Sequence, residues 1–161
     1  MSQKKKARTP PLALHEVIQR TDAGLKEANA LVADGYAGMG VARAIGSFEH
    51  FLKAAFLRPH LERCLGGPNS LTDEAVKRLF SGHRDEMKNL VRVACDIDMC
   101  SLNQQHWETY TRGLELRNEV LHSGATCSVD EARDVIRAVN GLLRSLLTAR
   151  TTVVEPLSRI A

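Results

Sequence analysis

Aromatic residues make up only 4% of this 161-residue chain, too few for most sandwiches and barrels, whose strands lean on aromatic side chains. Alternating runs of Val, Ile and Thr are missing as well, outside Thr151 to Val154, and no internal repeat is present. No apolar run approaches the roughly 18 to 20 residues that cross a bilayer. The basic start leads into Thr9, Pro10 and Pro11 instead of an apolar signal core. A cytoplasmic protein with no membrane contact is expected. The four cysteines, at 64, 95, 100 and 127, form no C-x-x-C pair and scatter among helical segments, so they read as small core residues in a reducing compartment.

The common catalytic signatures are absent too. There is no G-x-x-x-x-G-K-[ST], no G-x-G-x-x-G, no H-E-x-x-H, no G-x-S-x-G and no EF-hand loop, which removes the common nucleotide-binding, zinc-protease and hydrolase classes. His15, His50 and His60 have no neighbouring ligands at metal spacing, and His83 and His106 stand isolated. Neither a metal nor a cofactor is expected.

What is present is an ordinary globular balance of 43% hydrophobic and 25% charged residues in a chain of one-domain length. The net charge of +3 is concentrated at the start, where Lys4, Lys5, Lys6 and Arg8 stand; beyond them 18 Lys and Arg face 19 acids, a body at −1. Residues 1–11 read as a disordered basic tail. A near-neutral body has no broad phosphate-tracking surface, so any nucleic-acid contact must be local or use the tail.

Helical periodicity dominates the rest. Val17, Ile18, Leu25, Ala28, Leu31 and Val32 recur at helical spacing from Leu14 to about Ala33, where Asp34 and Gly35 break the helix. Val41, Ala44, Ile45, Phe48, Leu52, Ala55 and Phe56 form a second apolar face, which Pro59 is expected to stop. Gly66 to Asn69 is a loop, and Thr72 is the expected N-cap of a third helix whose stripe runs from Val76 through Leu79, Phe80, Met87, Leu90 and Val91 to Ala94. A fourth helix spans about Leu102 to Leu121. Ser123 and Gly124 end it, and Ser128 with Glu131 makes a capping box for a last helix carrying Ala132, Val135, Ile136, Val139, Leu143, Leu146 and Leu147. The expected architecture is an all-α, single-domain bundle of four to five helices over residues 12–150, with 151–161 as a C-terminal tail.

One segment puts polar groups where core should be. Along the fourth helix Trp107, Tyr110, Leu114 and Leu121 define the apolar arc, Arg117 and Asn118 fall on its two edges, and His122 follows Asn118 by one turn. An arginine, an amide and an imidazole near one helix end suit cleavage of a phosphodiester by the 2′-hydroxyl of RNA. The imidazole moves the proton, the guanidinium holds the phosphate and its growing charge, and the amide orients either. Leu116 and Val120 lie on the opposite side of the helix, as they would if it also met a partner subunit.

The R-N-x-x-x-H string formed by Arg117, Asn118 and His122 resembles the signature of the HEPN superfamily, an arginine followed after four to six residues by a histidine. The likeness extends over nearly the whole domain: "SFEHFLKAAF" is similar to the second helix of such domains, and a Gly-containing turn and a last helix opening "SVDEA" follow the motif. The spacing recurs at Arg78 to His83 and at Arg43 to His50, but only the third copy has the Asn, the helix end, the Gly turn and the capped final helix together. The resemblance implies a HEPN-like bundle, a homodimer that brings two motifs into one cleft, and metal-independent endoribonuclease activity on RNA. It also implies a toxin or defence role with an antitoxin or nucleotidyltransferase partner. Under it His122 is the general acid/base, Arg117 the phosphate and transition-state stabiliser, Asn118 the orienting residue and Glu49 a support for Arg117, with Leu116 and Val120 as dimer contacts. The alternative is a non-catalytic helical module binding RNA, nucleotide or a protein partner, in which Arg117 pairs with an acid such as Glu49 and His122 helps to cap the helix.

Overall fold

A computed structural model describes residues 12–79, 89, 91–93 and 96–154, the last five by backbone alone. The basic tail, Cys95 and most of the second half of the expected third helix lie outside the described residues. Among the described residues every regular element is helical and none is a strand, so the chain is all-α.

Helix α1 (Leu14–Ala33) opens with the backbone N–H of Ala13 donating to Glu16 Oε2 at 2.8 Å. It closes in a Schellman motif: Gly35 takes φ +89°, and the N–H groups of Gly35 and Tyr36 donate to the carbonyls of Val32 and Leu31. That reversal sends α2 (Ala37–Leu52) back along α1. The pair approaches closely because Gly40 lacks a side chain; a Cβ there would stand 2.8 Å from the carbonyl oxygen of Ala28. Helix α2 is the centre of the molecule. It packs on α1, on α6 (Gln104–Ser123) and on α7 (Val129–Val154), and nine of its sixteen residues are buried.

Pro59 does not end the second helix. After Leu52 the chain continues through a π-helical turn, Lys53–Leu57, directly into α3 (Arg58–Cys64). In that turn the Arg58 N–H donates to the carbonyl of Lys53, five residues back. The extra residue resets the hydrogen-bond register just ahead of the proline, so its missing donor and its ring fall in the opening turn of α3, where a proline is tolerated.

Helix α4 (Ser70–Leu79) is capped by Asn69, whose Oδ1 accepts from the Thr72 N–H at 2.9 Å. Thr72, the expected cap, is instead buried, and its hydroxyl donates to the Gly67 carbonyl at 3.0 Å. Helix α5 (Met99–Leu102) leads into α6, capped by Asn103 accepting from the His106 N–H at 3.0 Å. The Ser128–Glu131 capping box forms as the sequence indicates: Glu131 N–H donates to Ser128 Oγ at 3.2 Å, and Ser128 N–H donates to Glu131 Oε2 at 3.1 Å. The backbone of α7 stays helical through Val154, past the expected boundary at 150.

The core is one cluster of the predicted stripes, centred on Ile45, Phe48, Tyr110, Val139 and Leu142. Phe48 meets Tyr110 edge-to-face at 5.1 Å between ring centres, and Trp107 lies 5.5 Å from the same tyrosine. Such aromatic pairs add about 0.5 to 1.5 kcal/mol beyond area burial. The cysteines depart from their expected place: Cys64 is exposed, and Cys100 and Cys127 are half-buried at the core's edge, all three as free thiols. No helix of the described residues is long and apolar enough to cross a membrane.

Candidate functional site

Arg117 occupies the second-last turn of α6, on the flank that faces α2. Its Nη1 donates to Glu49 Oε1 at 2.8 Å, joining residues 68 apart in the chain. Both side chains are about three-quarters covered, at 24% and 26% exposure. The pair is therefore neither a solvated surface contact nor a sealed core one, and it fixes the guanidinium more firmly than an exposed ion pair would.

Tyr110 lies two turns before Arg117 on the same stripe and is fully buried. Burial pushes its phenol far above the ordinary value; the nearby Glu49 carboxylate adds to the rise and Arg117 opposes it. Tyr110 thus stays neutral. In the sequence it reads only as a member of the apolar arc; its seven-residue spacing from Arg117 is the signal that places both on one face of the helix.

On the solvent side, Asn118 is exposed, and its Oδ1 lies 3.4 Å from both Nε and Nη2 of Arg117. These are long, weak contacts. With one terminal nitrogen on Glu49 and the other edge touched only lightly by the amide, the guanidinium keeps donor capacity for an incoming anion.

His122 stands in the last turn of α6, exposed, with no bonding partner among the described residues. Gly124 ends the helix in the left-handed conformation, φ +65°, with its N–H on the Glu119 carbonyl. His122 lies five positions after Arg117, which is about 140° around the helix. Arg117, Asn118 and Glu49 are brought together within one chain; His122 lies on the same helix end but on a different flank.

Leu116 and Val120 are both half-buried against this chain's own helices. Leu116 lies at the α6–α7 seam beside Val135. Val120 sits on Gly38 of α2, where a Cβ would come within 2.7 Å of Val120 Cγ1. Both flanks of α6 are thus covered from inside the chain. The apolar side chain that α6 leaves in the open is Leu121, 52% exposed. Among the described residues no three His, Cys, Asp or Glu gather as metal ligands.

Compared with known proteins, the chain matches no family model, no curated sequence and no solved structure.

Proposed function

We propose that the chain is a metal-independent endoribonuclease of HEPN type. The observation that supports this best is the guanidinium of Arg117, held by Glu49 from another helix and touched by Asn118, which stands one turn before an exposed imidazole. A purely structural arginine would be closed off by its partners; this one keeps an open edge, on the helix end that also carries an exposed imidazole.

The reaction proceeds without a cofactor. His122 takes the proton of a ribose 2′-hydroxyl, the 2′-oxygen attacks the adjacent phosphorus, and the 5′-oxygen leaves as a hydroxyl after receiving a proton, giving a 2′,3′-cyclic phosphate. Arg117 stabilises the charge that grows on the phosphoryl oxygens, and Asn118 orients the guanidinium. Because His122 and Arg117 lie on different flanks, two copies paired about the α6 ends would complete the cleft, with Leu121 covered in the pairing. A toxin or defence effector, held by an antitoxin or nucleotidyltransferase partner, is the setting this activity fits.

The separation of His122 from Arg117 favours a second reading, a non-catalytic helical module that binds RNA, nucleotide or a protein partner. Cleavage of a mixed RNA pool in EDTA by wild type and His122→Ala, purified in parallel, separates the two. Catalysis predicts that the variant keeps its helical content and loses roughly 10²-fold or more in rate, and that the wild type leaves 2′,3′-cyclic ends. Equal rates would sink the assignment of His122.

A further inference from the structure

The sequence sets no metal ligand beside His60, yet the structure gives it one. His60 and Cys64 lie four apart on α3 and so share one face of the helix, where Cys64 Sγ stands 3.5 Å from His60 Nε2. Cys64 is exposed and the imidazole is half-buried, so solvent reaches the thiol. The backbone beneath the pair is well held. Pro59 restricts the opening turn of α3, and Arg58 ties the helix to α4 by donating to Glu62 Oε1 at 3.1 Å and to Asp73 Oδ1 at 2.6 Å.

Two donor atoms at this separation fit one cation. Zinc in tetrahedral coordination has bonds of about 2.3 Å to sulfur and about 2.0 to 2.1 Å to imidazole nitrogen, which sets those two atoms about 3.5 to 3.6 Å apart. In the metal-free chain the same distance suits a hydrogen bond between thiol and ring, so the ion has only to replace the shared proton. A Cys–His pair can also serve as a reactive thiolate, and the position in the fold decides between the two. Cys64 is the last residue of α3, and α2, the π turn and α3 run on without a break. The pair thus stands at the negative end of a long helix dipole, which disfavours a bare thiolate and favours a cation. Arg63, the other cationic residue of that last turn, is exposed and turned about 100° from Cys64 around the helix.

We infer that His60 and Cys64 form a zinc site, with water filling the two remaining positions of the tetrahedron. As the sulfur–zinc bond forms, the thiol gives its proton to solvent, and Nε2 coordinates through its lone pair. A thiolate with an imidazole selects zinc over magnesium and calcium, which take oxygen ligands. The site lies 11 to 15 positions beyond Glu49, roughly 16 to 22 Å along the helix axis. It is therefore separate from Arg117 and does not rest on the ribonuclease reading.

The test is titration of the untagged full chain, reduced and stripped of metal, with Co²⁺ as an optical stand-in for zinc. The expected result is a thiolate-to-cobalt charge-transfer band that saturates at one equivalent and is bleached by Zn²⁺. Cys64→Ser should abolish the band, while Cys100→Ser and Cys127→Ser should leave it unchanged. His60→Ala should weaken binding at least about tenfold, the lower end of what losing even a group behind the ligands costs. His60→Cys, which keeps a soft donor one turn away, should retain the band. A band that survives Cys64→Ser, or that never forms in the wild type, overturns the site. Equal affinity in His60→Ala and wild type overturns the pairing and leaves a thiol acting alone. Saturation at half an equivalent overturns the water-completed site and places the ion between two copies. RNA cleavage is assayed in EDTA, which removes this ion, so the failure of either reading leaves the other standing.

Discussion

At the residue scale the decisive arrangement is one guanidinium with two different neighbours, a carboxylate and an amide. Glu49→Gln keeps the shape and removes the charge, leaving Arg117 largely covered without its counter-ion. Between the small value of exposed pairs and the large penalty of sealed ones, the expected loss is about 2 kcal/mol, measured by urea unfolding. If Glu49 positions Arg117, the same variant also lowers the cleavage rate at saturating RNA more than it weakens binding of a 2′-O-methyl RNA, which has no 2′-hydroxyl to attack. A change in binding alone would mean that Glu49 serves only the surface charge. The sequence names Arg117, Asn118 and His122 from their place at a helix end ahead of a Gly turn and a capped helix, and names Glu49 from a likeness, because residues 68 apart have no local pattern that pairs them. It also counts Leu121 as core. The structure exposes that side chain because α2 begins near the level of Val120, as the Gly38 contact shows, and offers Leu121 little cover.

At the element scale, hydrophobic period and cap chemistry are local properties and are readable. The Ser128–Glu131 box is an example: both reciprocal bonds follow from residue types three apart. Ser128→Ala is expected to cost about 1 kcal/mol, seen as a melting temperature lower by roughly 2–4 °C for a chain of this size; an unchanged midpoint would mean that packing against α2 alone sets the start of α7. Pro59 shows where local rules run out. A proline forbids a normal helical bond, but whether the chain stops or inserts one residue depends on what the following turn can bury. Here Ala55, Phe56 and Leu57 are all buried within the π turn, so continuing gains more apolar contact than breaking would. Asn69 in place of Thr72 is the same lesson in reverse: two capping residues compete, and the one nearer the Gly66–Gly67 loop takes the helix end.

At the scale of the whole molecule, the bundle follows from the stripes, while the central place of α2 follows from close approaches such as Gly40 on α1, which periodicity cannot rank. The charge pattern acts at this scale too. His50 has its proton affinity lowered in the fold, so between the folded value and the ordinary 6.5 the unfolded chain binds more protons. Its contribution to stability is present above 6.5 and declines as pH falls through the folded value. Wild type should therefore lose melting temperature between pH 7.5 and 5.5, and His50→Gln should lose less; equal losses would remove His50 from the balance. The aromatic stripe has a practical corollary. The chain has one tryptophan, and it lies 5.5 Å from Tyr110, on the face of α6 that carries Arg117 further along. Intrinsic fluorescence is therefore a built-in optical gauge of that face: a shift in emission on adding RNA, absent in Arg117→Ala, would register occupancy at the arginine with no label attached.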